Sequence, residues 1–244
     1  DVSLAIGVDK PGMVQRAFTK TGIGNLADDA IVPFTHFALL TNEYAHKHGV
    51  KPQDVALVAV KNHRNGALNP NAHRQQERSL DEILGGKPVS GTLTALQCCP
   101  VGEGAAAVIV ASEDAIKRLG IDPGRAIRVT ASAASSEGAG AHATADAAIT
   151  KDTIADALKQ ASLAPTNVDV LELHDAFTVE ELHYVEAMGV CKPGQAIHLL
   201  KEGAFDIRGQ MAVSPSGGLI AMGHPIGPTG VGQIGEITMQ LRGE

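Results

Sequence analysis

Val168-Asp-Val-Leu-Glu-Leu173 runs directly into His174-Asp175-Ala176-Phe177 and then into Thr178-Val-Glu-Glu181. A turn at Ala164-Pro165-Thr166-Asn167 precedes this stretch, so the pattern predicts a strand over 168–173. Thr178 with Glu181 three residues on is a capping-box pattern, predicting a helix through Met188 that stops at Gly189. A strand handing over to a helix in this way is the repeating unit of an α/β protein. Ligands of such folds sit at the C-terminal ends of strands, and a histidine there can donate, accept or shuttle a proton. On position alone, a histidine satisfied by packing and backbone is the competing reading of His174.

Outward from this stretch the alternation continues. A strand is predicted near Met211 to Val213, and a final helix carries Val231, Ile234, Ile237 and Leu241. Upstream, Thr153 to Ala161 reads as a helix with Ile154, Ala155, Leu158 and Ala161 on one face. Ala126-Ile-Arg-Val-Thr130, after Pro123-Gly124, reads as the start of a second α/β unit. Ala105 to Val110 reads as a central strand and Asp114 to Leu119 as a short helix. Ser3-Leu-Ala-Ile-Gly-Val8 reads as a buried strand, and at the first residues of the chain this suggests a domain entered part-way. Between Lys10 and Pro88 the pattern loosens into an excursion from the sheet. It holds two amphipathic helices, Thr35 to His48 and Gln53 to Asn65, and the turn-rich Asn65-Gly-Ala-Leu-Asn-Pro-Asn71.

A second chemical signal is Gly217-Gly218-Leu-Ile-Ala-Met-Gly223-His224-Pro225-Ile-Gly227-Pro-Thr-Gly230. Five glycines in these 14 residues permit close backbone approach to a ligand, and the loop leads to a helix N-terminus that favours negative charge. It has neither the Lys-Ser/Thr ending of a P-loop nor a GxGxxG fingerprint. A tight turn is the plain alternative, but a histidine held between Gly223 and Pro225 is more specific.

Composition narrows the class. With 44% hydrophobic and 19% charged residues the chain reads as an ordinary globular protein, and a net charge of −7 argues against a nucleic-acid surface, for which a basic stripe is expected. No apolar run approaches the roughly 20 residues of a membrane-spanning helix. Cys98, Cys99 and Cys191 form no CxxC pair and no even framework, which points to a reducing cytoplasm. His46 and His48 flank Lys47 on a surface helix, and His36, His63, His73, His142, His183 and His198 lack metal-ligand spacing, so no metal is expected.

Taken together, His174-Asp-Ala-Phe and the later Gly-Gly-x4-Gly-His-Pro-x-Gly-x-Thr-Gly resemble the thiolase superfamily, in its branch of sterol-carrier-protein-type and archaeal thiolases. Lys61-Asn62-His63 and Leu96-Gln97-Cys98-Cys99-Pro100 resemble the same branch. The resemblance implies a layered α-β-α-β-α thiolase fold. Residues 1–9 and 89–122 would be the remainder of its N-terminal domain, 10–88 the CoA-binding loop domain, and 123–244 the C-terminal domain.

The resemblance also implies Claisen chemistry on CoA thioesters: acetoacetyl-CoA or 3-oxoacyl-CoA formation, or thiolytic cleavage in reverse. Coenzyme A enters as substrate or product, and no further cofactor is implied. His224 matches the position that activates the nucleophile and contributes to an oxyanion hole; His174 matches the position that holds the other oxyanion, directly or through a water. Gly218, Gly223, Gly227 and Phe177 would border the substrate, and Lys61, Arg64 and Arg74 lie where CoA phosphates could be met. The family's nucleophilic cysteine is expected upstream of the first strand and its closing strands beyond Glu244; Cys98 and Cys99 match a segment with a structural role. Where the branch often carries an acid/base cysteine, this chain has Ala176. A homodimer or tetramer is the default assembly, with a small OB-fold, zinc-ribbon protein as a further partner. Two other readings stay open: a thiolase-like aldolase on a β-hydroxyacyl-CoA, whose relatives typically replace both histidines by tyrosine, and a non-catalytic CoA-binding subunit.

Overall fold

The computed structural model describes residues 1–10, 33–136 and 145–244, so residues 11–32 of the expected excursion, and His142, lie outside the described residues. In chain order the elements begin with strand β1 (Val2–Asp9) and helices α1 (Pro33–His48), α2 (Pro52–Val55), α3 (Leu57–Leu68) and α4 (Leu80–Leu84). Strands β2 (Pro88–Ser90), β3 (Leu93–Thr94) and β4 (Gly104–Ala111) follow, then helices α5 (Glu113–Leu119) and α6 (Ala145–Ala161). The remainder is β5 (Val170–Leu171), α7 (Thr178–Ala187), α8 (Ala196–Lys201), β6 (Ala212–Val213), α9 (Gly218–Met222) and α10 (Thr229–Arg242). These form two compact units, one of residues 1–10, 101–128 and 223–244, the other of residues 33–100, 129–136 and 145–222.

The first unit is built on an antiparallel ribbon in which β1 and β4 pair along their whole length, from Val2 opposite Ala111 to Asp9 opposite Gly104. Gly7 is the buried residue of β1 because the backbone of Gly227 and Pro228 lies directly on it. A Cβ at position 7 would sit 2.5 Å from the Gly227 carbonyl oxygen. Helix α5 starts where the Ser112 hydroxyl accepts the Ala115 N–H and stops at left-handed Gly120 (φ 64°). The sequence reading of β1 as a buried strand is corrected here. Leu4 and Ile6 are about three-fifths exposed (59% and 61%), since one partner strand and the loop at 227–228 cover only Gly7 fully among the described residues.

The second unit is largely helical around a main core of Tyr44, Val58, Ile83, Leu182, Ile197, Phe205 and Ile220, with a smaller cluster of Ala38, Leu93, Cys98, Ala176, Phe177 and Leu219. The helix expected over 53–65 is divided at Ala56. Its first turn closes tightly, with Ala56 N–H donating to the Gln53 carbonyl, before the α-type ladder starts at Val60 N–H to Ala56. Helix α3 is buried around much of its girth, including Lys61, Asn62, His63 and Asn65. The strand expected over 168–173 is reduced to β5, which pairs in parallel with β6 through Val170–Ala212 and Leu171–Val213. Residues 126–130 form no strand, and Val129 is exposed. The start of α7 also differs from the capping-box reading. Phe177 is the N-cap, and Glu180, not Glu181, turns back to accept its N–H at 2.8 Å.

Ile197 is fully buried in this core. Ile197→Ala is expected to lower the unfolding free energy by about 2–5 kcal/mol, read by urea denaturation; a loss under about 0.5 kcal/mol would show that the core does not close around it.

Candidate active site

The turn from β5 into α7 sorts its side chains by burial. Leu173, Asp175, Ala176 and Phe177 point inward, whereas His174 is 52% exposed. Asp175, fully buried, anchors the turn. Its Oδ2 accepts from Asn62 Nδ2 at 2.5 Å and from the Ser214 hydroxyl at 3.3 Å, and its Oδ1 accepts the Leu219 N–H at 2.8 Å. One motif of the sequence thereby grips two others. Gly218 (φ 57°) is required at this contact, because a Cβ there would collide with the Asp175 carboxylate and lie 2.8 Å from Asn62 Nδ2.

A second carboxylate lies in the same interior. Glu181 is 3.1 Å from the Lys61 ammonium, with side chains 0% and 2% exposed, and Lys61 also donates to Asn62 Oδ1 and to the Val213 carbonyl, each at 2.6 Å. Burial, and then the Glu181 charge, push the Asp175 carboxyl well above the usual carboxylate range. Burial raises Glu181 as well, with Lys61 opposing it. As placed, the Lys61 charge is taken up inside the protein, so it does not reach out to a phosphate as the sequence reading allowed. Arg64 is half-exposed and pairs with Asp206 at 2.5 Å. Arg74 is also a structural cation: it donates to the carbonyls of Ala95, Cys98 and Ile220 at 2.9–3.0 Å.

The remaining members of the motifs brace the same turn. Phe177 stacks on Phe37 at 4.2 Å between ring centres and meets Phe34 edge-on at 5.7 Å. The Cys99 N–H donates to the Ala176 carbonyl at 2.8 Å, and His63 Nε2 is 3.1 Å from the Leu96 carbonyl. Burial raises the Cys98 thiol to about 12 and those of Cys99 and Cys191 to about 11, so all three stay protonated at neutral pH. Among the described residues no group of histidines, cysteines or acids could hold a metal ion.

His174 itself is 3.3 Å, through Nδ1, from Oε1 of the buried Glu180, which also accepts from the Tyr184 hydroxyl at 3.2 Å. The sequence reading gave no role to Glu180 or to the Asp175 cluster. The available signal was the count from Phe177: an N-cap there puts Glu180 at the third helical position, beside the histidine.

His224 and Gly227 belong to the first unit, with Gly223 (φ 109°) ahead of them. The Ile226 N–H donates to Asp9 Oδ2 at 2.8 Å, and a Cβ on Gly227 would lie 2.5 Å from the Val8 carbonyl oxygen, so the loop lies flat on β1. The Thr229 hydroxyl donates its only proton to the Pro225 carbonyl at 2.7 Å and is 2.9 Å from His224 Nδ1. It therefore accepts from Nδ1–H, which assigns Nε2 as the basic nitrogen of the neutral ring.

Comparison with known proteins gives the class and then the family. A solved Ltp2-ChsH2(DUF35) aldolase superposes on 100% of this chain and 65% of its own, with a TM-score of 0.78 at 20% identity, so the chain has the thiolase-superfamily fold. Residues 130–244 match the thiolase C-terminal domain-like family. Sterol carrier protein 2 of Gallus gallus is 39% identical over 224 residues, covering 89% of this chain and 41% of that protein. The benzoylsuccinyl-CoA thiolase subunit BbsB of Thauera aromatica is 36% identical over 211 residues, covering 85% of this chain and 54% of that protein. The chain belongs to the thiolase superfamily and spans about half the length of these relatives.

The buried cluster yields a pH-dependent test. Both carboxyls are held above their ordinary values, so the folded state keeps protons that the unfolded chain releases. The cluster's contribution is full below the ordinary carboxylate range and declines as pH rises through the raised values. Lys61→Met removes the only cation ion-paired in this cluster among the described residues. It is expected to cost about 3–5 kcal/mol at pH 7 and less at pH 5, where the carboxyls can protonate. Equal losses in urea titrations at the two pH values would contradict this account.

Proposed function

We propose that this chain performs thiolase-type acyl transfer between CoA thioesters, with His224 and His174 as its catalytic histidines. The observation that carries the reading is that each motif histidine has Nδ1 held by a defined partner, Thr229 or Glu180, as a ring set for proton work requires. His224, basic at Nε2, has the form needed to take a thiol proton, and the thiolate so made would accept the acyl group. None of Cys98, Cys99 and Cys191 suits that role, since burial keeps each protonated. His174, exposed at its strand end, would support a thioester oxygen as negative charge develops on it. Gly218, Gly223, Gly227 and Phe177 would border the substrate.

The relative named as a subunit of a benzoylsuccinyl-CoA thiolase supports a partner protein in the assembly, in addition to self-association. The aldolase likeness is one of fold, and both motif histidines are retained where the aldolase reading calls for tyrosine.

Exchange of labelled coenzyme A with an acyl-CoA, measured in the intact protein that carries this chain, tests the proposal. His224→Ala is expected to lower the exchange rate by roughly 10²–10⁴-fold. Near-normal turnover would refute the assignment, and release of a ketone or aldehyde from a β-hydroxyacyl-CoA would establish the aldolase reading in its place.

A further inference from the structure

Glu180 is an acid built into the helix that follows His174. It occupies the third position of α7, where the helix dipole favours negative charge, and its side chain is 5% exposed. Three donors converge on its two oxygens: the Phe177 N–H on Oε2, and the Tyr184 hydroxyl and His174 Nδ1 on Oε1. A carboxylate has only lone pairs to offer, so the nitrogen facing it carries the hydrogen. Ala176, two residues on from His174, has no titratable group, burial holds Cys99 at about 11, and Asp175 is fully buried, so His174 is the exposed titratable side chain of the 174–177 turn.

We infer that Glu180 is a positioning residue for His174, holding Nδ1 protonated so that neutral His174 presents Nε2 as a hydrogen-bond acceptor. Its part in catalysis rests on the thiolase reading above. A neutral ring in this tautomer cannot donate to an oxyanion. It instead accepts from a water whose second O–H donates to the thioester oxygen. Of the two modes that the motif allows, direct and water-mediated, the Glu180 contact selects the second for the neutral ring. Glu180→Gln reverses the pattern while preserving the cap. The amide oxygen still accepts the Phe177 N–H, and the amide NH₂ now faces Nδ1, which must become the acceptor and move the ring hydrogen to Nε2.

The test is a two-bond ¹H–¹⁵N correlation spectrum of the labelled chain at a pH where the ring is neutral, with the His174 signals assigned by their loss in His174→Asn. The expected spectrum shows Nδ1 as the protonated nitrogen and Nε2 as the bare one in the parent chain, exchanged in Glu180→Gln. A protonated Nε2 in the parent, or the same pattern in both proteins, overturns the inference whatever the activity. In the intact protein, Glu180→Gln should lower kcat at least about tenfold with KM for the acyl-CoA little changed; an unchanged kcat overturns the positioning role. If the tautomer exchanges as expected but the parent catalyses no thioester exchange, the thiolase reading fails and the Glu180 assignment stands.

Discussion

A carboxylate removed from water must be met by donors or take up a proton, and Asp175 shows both responses. Asn62, Ser214 and the Leu219 N–H supply three donors, while burial and the nearby Glu181 still raise its carboxyl above the ordinary range. The rest of the second unit is arranged around that constraint. Lys61 lies inside because Glu181 needs a cation; Ser214, fully buried, adopts a positive φ of 52° beside the carboxylate it serves; and position 218 admits only glycine. An apolar residue at 175 would spare the desolvation cost but would leave the β5–α7 turn without its tie to α3 and α9.

That tie gives His174 its setting. With Asp175 and Phe177 drawn inward and Cys99 bonded to the Ala176 carbonyl, the backbone of the turn is held at several points, and the one side chain directed outward is the histidine. Arg74 fastens three carbonyls from the 95–98 segment and α9, so the support for the turn is itself supported. Motifs scattered over the sequence are thus the parts of one brace. Lys61, Asn62 and His63, adjacent in α3, reach Glu181, Asp175 and the Leu96 carbonyl respectively.

The two motif histidines are held differently. His224 gives its Nδ1 hydrogen to a neutral hydroxyl and His174 gives its own to a buried carboxylate. A hydroxyl orients a ring without adding charge, whereas a carboxylate also stabilises the imidazolium that forms when the ring gains a proton. The Nδ1 of each motif histidine is thus met by a different kind of partner, a neutral hydroxyl in one unit and a buried carboxylate in the other.

Much of this was legible in the sequence because it depends on local pattern. The strand-to-helix step around His174, the helix at 35–48, the final helix carrying Val231, Ile234, Ile237 and Leu241, and the glycine-histidine-proline loop were marked by periodicity, caps and turn residues, and the thiolase relationship followed from motif order. What local pattern could not decide was the partner of each charge. Lys61 in a polar motif reads as a binding residue until tertiary packing sets Glu181 against it, and Glu180 and Glu181 are equivalent as letters although one supports a histidine and the other a buried lysine. The apolar run at 3–8 likewise predicts burial, but whether a strand is covered depends on what packs against its faces. Periodicity along the chain determines which residues turn inward; only the three-dimensional arrangement determines what they meet there, because desolvation and pairing energies depend on neighbours distant in sequence.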